Sequence, residues 1–105
     1  MKELAIITGA SSGIGYEIAI LFAKQHIDLL IVARDENKLR NIKTTIEEEY
    51  KIKVYPVTAD LSTEEGIQAI HDTVRFNDLT VNYLVNNAGF GDYGSFIDRK
   101  WEKYK

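Results

Sequence analysis

Short apolar runs alternate with helical periodicity along this chain, and the alternation predicts strands and helices in turn. Four runs predict strands: Leu4–Ile7, Ile27–Val32, Ile52–Ala59 and Val81–Val85. The second run is apolar except at Asp28, as expected of a parallel strand that is covered on both faces. Pro56 lacks a ladder donor, which favours an edge position for the third strand.

The segments between these runs repeat apolar residues at helical spacing. The predicted inner faces of the three helices are Ile14, Ile18, Leu21 and Phe22, then Leu39, Ile42 and Ile46, and finally Ile67, Ile70 and Val74. Asp35 is expected to cap the second helix, and Ser62 with Glu65 fits a capping box at the start of the third. The acidic run at 47–49 predicts a solvated surface.

Strands and helices alternate with short connections and without a linker or repeat. Right-handed crossovers then predict an α/β fold, a Rossmann-like doubly wound parallel sheet of strand order 3-2-1-4. The length of 105 residues predicts one domain spanning 1–105. A ligand should bind at the carboxyl ends of strands one and four, where the strand order reverses.

Composition mainly excludes other classes of function. The chain is 45% hydrophobic and 28% charged, as in ordinary globular proteins, and its net charge of −3 indicates neither a nucleic-acid nor an anionic membrane partner. No apolar run approaches the roughly 20 residues of a membrane span. Cysteine is absent, which excludes disulfides and thiolate metal ligands. We expect a cytoplasmic protein without a metal site.

Three glycines follow the first strand. Gly9 permits a sharp turn, and Gly13 and Gly15 remove side chains where the first helix begins, so that backbone N–H groups can face an anion. The spacing is Gly-x-x-x-Gly-x-Gly rather than the common Gly-x-Gly-x-x-Gly. The glycines alone are also compatible with a simple tight turn between strand and helix.

Two further sequence features, taken together with this loop, resemble a known protein family. Thr8-Gly9-x-x-x-Gly13-x-Gly15, Asp60 after strand three and Asn86-Asn87-Ala88-Gly89 after strand four together resemble the short-chain dehydrogenase/reductase family across nearly the whole chain. In that family the glycine segment wraps the cofactor pyrophosphate and ribose, and the acidic residue contacts adenine. The cofactor-binding residues that the resemblance implies are Gly9, Ser11, Ser12, Gly13, Ile14, Gly15, Arg34, Asp60, Leu61, Asn87, Ala88 and Gly89. Considered alone, Asp60 is also compatible with a surface acid that precedes a helix.

The end of strand two bears on the choice of nicotinamide cofactor. An acidic side chain there accepts hydrogen bonds from a ribose 2′-hydroxyl, whereas an arginine accommodates a 2′-phosphate. Arg34 aligns with the discriminating position of the family, and Asp35 follows it. Since adjacent strand residues point to opposite faces, we expect only Arg34 to face the ribose, with assistance from Ser12 and Lys38. This favours NADP(H), with NAD(H) as the alternative.

The resemblance also implies residues that this sequence does not contain. The family uses Tyr-x-x-x-Lys, a serine and a helix-four asparagine to transfer hydride between nicotinamide and a carbonyl or alcohol substrate. None of the six tyrosines has a lysine four positions later. Ser95 lies too close to Gly89 to be the serine of the family, and a fourth helix would only begin at 101–105. We therefore expect no catalytic residues here, and a truncated, inactive N-terminal half of an NADP-dependent oxidoreductase.

Other interpretations stay open from the sequence. The chain could be a truncated, non-catalytic nucleotide-binding module or interaction subunit, or, less favoured by its glycine spacing, an S-adenosylmethionine-binding domain. An unpaired edge on strand four would favour self-association. His26 and His71 are expected to be surface or half-buried structural residues on helices. Phe90 and Tyr93 either shape a substrate entrance or pack their own loop.

Overall fold

The computed structural model describes residues 3–11 and 13–87, in which strands and helices alternate. The elements are β1 (Leu4–Thr8), α1 (Gly13–Lys24), β2 (Asp28–Ala33), α2 (Glu36–Tyr50), β3 (Val54–Thr58), α3 (Glu64–Phe76) and β4 (Tyr83–Asn86). None of these helices has the length and hydropathy that crossing a bilayer requires. No cluster of three or more potential metal-ligating side chains occurs in the same ranges.

The sheet is parallel, with the strand order β3-β2-β1-β4, which confirms the predicted order. Thr8 at the end of β1 lies opposite Val32 of β2 and Asn86 of β4. The carboxyl ends of these strands therefore meet at one edge of the sheet. Pro56 lies on β3, the outer strand on that side of the described sheet, as predicted.

Pairing sets strand bounds that differ by a few residues from those predicted. β3 is shorter than the predicted 52–59, because its register with β2 runs only from Val54 to Thr58. β4 starts two residues later than predicted. Asn82, just before it, instead exchanges hydrogen bonds with Leu4: its backbone N–H donates to the Leu4 carbonyl at 2.9 Å, and its side-chain oxygen accepts from the Leu4 N–H at 3.0 Å.

Apolar side chains cover both faces of the sheet. Ala5 and Ile7 of β1 belong to the core beneath α1 and α2, whereas Leu4 and Ile6 belong to the core beneath α3. This alternation follows from the two-residue period of a strand. It explains why the strand sequences are nearly continuous apolar runs rather than alternating ones.

The inner face of α1 differs from the prediction. Its buried residues are Gly15, Ala19 and Ala23, one turn apart, whereas Ile14 is 66% exposed and Leu21 61% exposed. Small side chains let the helix backbone approach the sheet closely, and the larger apolar residues lie beside and outside that line of contact. The periodicity of large residues alone gave the wrong face for Ile14 and Leu21.

The helix starts provide one confirmed and one wrong prediction. Asp35 caps α2 as expected, accepting a hydrogen bond from the backbone N–H of Lys38 at 3.1 Å. The cap of α3 is Thr63, not Ser62, since the Thr63 hydroxyl accepts from the backbone N–H of Gly66 at 3.0 Å. The predicted capping box is therefore wrong, because the Ser62 hydroxyl is bonded to a carboxylate two residues earlier.

Two polar residues are more buried than predicted. Glu47 is partly buried and accepts hydrogen bonds at 2.8 Å from the Val54 backbone N–H and from the Lys43 ammonium, so only the rest of the acidic run is exposed. His71 is 3% exposed within α3. His26 is exposed and lies two residues beyond the end of α1 in a left-handed conformation, with φ 60°.

Candidate dinucleotide-binding site

A cavity of about 260 Å³ lies where β1, β2 and β3 end. It is lined by Gly9, Ser11, Val32, Ala33, Arg34, Asp35, Ala59, Asp60 and Leu61. Five residues predicted to bind a cofactor are among these: Gly9, Ser11, Arg34, Asp60 and Leu61. A broader depression of about 570 Å³ is lined by Arg34, Asp35, Glu36, Asn37 and Arg40, so that it shares Arg34 and Asp35 with the first cavity.

The turn after β1 is tied to the end of β2. The backbone N–H groups of Gly9 and Ala10 both donate to the Val32 carbonyl, at 2.9 and 3.2 Å. Gly9 has φ 67°, in the left-handed region that glycine adopts without strain. The chain thereby leaves the sheet sharply and can enter α1 above the strand ends.

Glycine occupies positions 15 and 13 for different structural reasons. A Cβ at Gly15 would overlap the Gly9 carbonyl oxygen and lie 2.8 Å from Nδ2 of Asn87, so the packing of the chain itself requires glycine there. Among residues 3–11 and 13–87, a Cβ at Gly13 would meet nothing within 4 Å. Gly13 is therefore not required by internal packing, and the open space beside the first residue of α1 is available to a ligand. Ile14 follows it in that turn and is exposed.

Thr8 joins the glycine turn to the end of β4. Its side chain is buried, and its hydroxyl donates to Oδ1 of Asn86 at 3.0 Å while accepting from the backbone N–H of Asn87 at 2.8 Å. Asn87 in turn lies against Gly15. The sequence motif included Thr8, but no role was predicted for it. The available signal was a hydroxyl at the end of an otherwise apolar strand.

Asp60 is held by the residues that follow it. Its Oδ1 accepts hydrogen bonds from the Ser62 hydroxyl at 2.7 Å and from the Ser62 backbone N–H at 2.9 Å. These two bonds, and to a smaller degree the charge of Arg34, lower the pKa of the Asp60 carboxyl despite opposing desolvation. Asp60 is therefore ionised at neutral pH. Ser62, which was predicted to cap the third helix, instead helps to lower the pKa of Asp60.

Arg34 and Asp35 both line the cavity, and both follow the end of β2 at Ala33. The alternation of strand residues from which they were expected to face opposite sides therefore does not apply to them, and the expectation that only Arg34 faces the ribose stays a prediction. The Asp35 carboxylate accepts from Lys38 N–H as the cap of α2. Arg34 is exposed at the rim, near enough to Asp60 to affect its pKa.

Several predicted residues lie outside the described ranges. They are Ser12, Ala88 and Gly89 of the predicted cofactor site, together with Phe90, Tyr93, Ser95 and the helix expected at 101–105.

A family model described as short chain dehydrogenase matches residues 3–105. The chain belongs to the short-chain dehydrogenase family. This membership accounts for the combination of the glycine turn, the acidic residue after β3 and the asparagines after β4. The resemblance found in the sequence is thus confirmed.

Individual members of the short-chain dehydrogenase family resemble the chain over most of its length. An 11-beta-hydroxysteroid dehydrogenase of Pinus massoniana is 42% identical over 85% of this chain and 25% of the relative. The crystal structure of L-sorbose reductase from Gluconobacter frateurii, complexed with NADPH and L-sorbose, has a TM-score of 0.81 at 38% identity, covering 87% of this chain and 35% of the other. A short-chain dehydrogenase from Sphingobium yanoikuyae in complex with NADPH has a TM-score of 0.75 at 35% identity, covering 95% and 39%.

The chain spans about a quarter of the length of the curated relatives that it matches. It corresponds to little more than a third of the solved structures.

Proposed function

We propose that this chain is the NADP(H)-binding portion of a short-chain dehydrogenase/reductase, which transfers hydride between nicotinamide and a small carbonyl or alcohol substrate. The observation that carries the proposal is the convergence of Gly9, Arg34 and Asp60 on one cavity at the carboxyl ends of three parallel strands. Open α/β sheets bind their ligands outside the carboxyl ends of the strands, and this cavity lies on the β2–β3 side of the switch point between β1 and β4. Chain 1–105 would act as one domain in this role.

Under this proposal, each predicted cofactor-binding residue has a role. The first turn of α1 presents backbone N–H groups to the pyrophosphate, with Ser11, Ser12, Gly13, Ile14 and Gly15 around it. Asp60 and Leu61 face the adenine. Asn87, Ala88 and Gly89 hold the cofactor beside the end of β4. Support comes from the open space at Gly13, which the fold itself does not fill.

NADP(H) is proposed over NAD(H) because of Arg34. A guanidinium binds a phosphate through paired, charge-assisted hydrogen bonds. The neighbouring Asp35 carboxylate has a structural role, because it accepts from the Lys38 N–H as the cap of α2. A hydrogen bond to a charged group contributes about 1.5–3 kcal/mol, or roughly a ten- to hundredfold preference. The NADPH complexes of two similar structures agree with this choice.

Turnover is not proposed for residues 1–105 alone. Reduction of a carbonyl needs a proton donor placed beside the nicotinamide. No tyrosine in the sequence stands four positions before a lysine. We therefore expect that the 105-residue chain binds the cofactor and does not oxidise NADPH in the presence of carbonyl substrates. A purely non-catalytic module is the less favoured alternative, because the similar proteins are reductases and dehydrogenases.

Titration of the 105-residue chain with NADPH and NADH, followed by cofactor fluorescence or calorimetry, tests the proposal. We expect saturable binding of both, with NADPH at least about tenfold tighter. S-adenosylmethionine, as a matched adenine-containing control, should not displace NADPH. Equal or tighter binding of NADH would contradict the cofactor assignment, and displacement by S-adenosylmethionine would contradict the function.

We also propose that the chain self-associates through the side of the sheet where β4 is outermost. Ile14 and Leu21 of α1 are exposed, and Tyr83 of β4 is 38% exposed. The Tyr83 ring contacts the Phe22 ring, with the two ring centroids 5.1 Å apart. Sedimentation velocity should show concentration-dependent association, which Leu21→Lys weakens and Glu48→Lys, on the exposed surface of α2, does not. A monomer at every concentration would contradict it. The cytoplasmic location stays a prediction.

A further inference from the structure

The carboxylate of Asp60 has two oxygens in different situations. Oδ1 accepts both described hydrogen bonds to the side chain, from the hydroxyl and the backbone N–H of Ser62. Within residues 3–11 and 13–87, no side chain or backbone group donates a hydrogen bond to Oδ2. Asp60 also lines the cavity at the strand ends. One oxygen therefore anchors the side chain, and the other remains for a ligand.

The backbone of Asp60 is fixed as well. Its carbonyl oxygen accepts from the Thr63 hydroxyl at 2.8 Å and from the Thr63 N–H at 3.1 Å. Any Cβ at position 66 would overlap that same carbonyl, so the absence of a side chain at Gly66 allows α3 to begin directly against it. Neither the main chain nor the carboxylate of Asp60 can reorient without breaking these contacts.

The hydroxyl of Ser62 has no part in capping the helix. Thr63 performs that function through the N–H of Gly66. Ser62 is exposed and donates its hydroxyl to Asp60. The contact therefore acts on the carboxylate, not on the start of α3.

We propose that Ser62 is a positioning residue, which holds Oδ1 of Asp60 so that Oδ2 accepts a hydrogen bond from the 6-amino group of the cofactor adenine. The inference rests on the proposed function and extends it to recognition of the base. An ionised carboxylate is only an acceptor. Oδ2 can accept a hydrogen bond from one N–H of a 6-amino group, whereas it faces the lone pairs of a 6-oxo group unfavourably. Orientation by Ser62 thus makes the site selective for adenine over hypoxanthine.

The test compares NADPH with reduced nicotinamide hypoxanthine dinucleotide phosphate, which differs at the base. The 105-residue chain should bind NADPH about tenfold tighter or more, as expected for one hydrogen bond to a charged group. Ser62→Ala should lower this preference to about threefold or less, mostly by weakening NADPH. Ser62→Thr keeps the hydroxyl and should keep the preference. Asp60→Ala should abolish it.

Each outcome distinguishes the two proposals. Equal losses for both cofactors in Ser62→Ala would assign Ser62 a merely structural role and overturn this inference, while leaving the proposed function intact. A preference that persists in Asp60→Ala would also overturn it. Failure of the unsubstituted chain to bind either cofactor would overturn both proposals. Since Ser62 is exposed, its replacement leaves no cavity, and urea denaturation verifies that each variant is folded.

Discussion

The Thr8 hydroxyl accepts a hydrogen bond of 2.8 Å from the backbone N–H of Asn87, and so joins the ends of β1 and β4. The same hydroxyl donates to Oδ1 of Asn86 at 3.0 Å. Thr8 is 2% exposed, so water cannot readily replace these partners. One buried side chain therefore fixes the position at which β4 leaves the sheet, beside the glycine turn.

Thr8→Val is expected to lower the free energy of unfolding by about 1–3 kcal/mol. The substitution keeps the shape of the side chain but leaves the Asn87 N–H without its acceptor in a partly buried place, and an unsatisfied buried group has a cost of that order. Thr8→Ser keeps the hydroxyl and should lower the free energy of unfolding by less than Thr8→Val does. Urea denaturation measures both. Equal stability of Thr8→Val and the unsubstituted chain would show that the hydroxyl does not hold the strands together.

Gly15→Ala and Gly13→Ala should separate folding from binding. Alanine at Gly15 would overlap the Gly9 carbonyl, so the variant should be destabilised by several kcal/mol and lose cofactor binding with its fold. Alanine at Gly13 meets no atom of the described part of the chain within 4 Å and should leave the unfolding midpoint unchanged or raise it. It should nevertheless weaken NADPH binding, because the methyl group occupies space proposed for the pyrophosphate. Unchanged affinity in Gly13→Ala would contradict that placement.

Arg34→Ala is expected to weaken NADPH binding by roughly ten- to hundredfold and to change NADH binding less than about twofold. The physical reason is that only NADPH carries the 2′-phosphate. Arg75→Ala, in the last turn of α3, removes the same charge elsewhere and is the matched control. The NADPH preference should also decrease with added salt, because Arg34 is exposed. A parallel loss of affinity for both cofactors would contradict the selective role of Arg34.

The sequence was sufficient for the strand order and for bringing Gly9, Arg34 and Asp60 together, because parallel strands with short crossovers have few possible arrangements. Side-chain roles were harder to predict. Ser62 and Thr63 are adjacent hydroxyl residues before α3, and either fits a cap by spacing. The structure shows that Thr63 is the cap, because its hydroxyl accepts from the Gly66 N–H, whereas the Ser62 hydroxyl donates to Asp60.

The face of α1 could not be derived from apolar periodicity for a different reason. Gly15 packs against the carbonyl of Gly9, and Ala19 and Ala23 continue the buried line along α1, although none of the three is a large apolar residue. Arg34 and Asp35 both line the cavity, and both follow the end of β2 at Ala33. Strand alternation could have separated them only if the strand had continued.

Glu47 links α2 to β3 through an ionisable contact. Burial opposes its ionisation, but the Lys43 ammonium and the Val54 N–H, both at 2.8 Å, outweigh that effect and lower the pKa of Glu47 from its ordinary 4.5. A carboxyl group whose pKa is lower in the folded state than in the unfolded state stabilises the fold at pH values above its unfolded-state pKa. That contribution is lost as the pH falls from about 4.5 through the folded pKa.

Glu47→Gln should therefore cost about 1 kcal/mol of unfolding free energy near pH 7, as a partly exposed charged contact does, and progressively less below pH 4.5. The difference between the variant and the unsubstituted chain should narrow as Glu47 becomes protonated, because the charge is then absent from both proteins. Glu48→Gln removes the same charge from an exposed neighbour. It should change the free energy of unfolding by no more than a few tenths of a kcal/mol, both near pH 7 and below pH 4.5. Urea denaturation at pH 7, 5 and 3 measures the effect, and a cost for Glu47→Gln that is constant across that range would contradict the role of its ionised form.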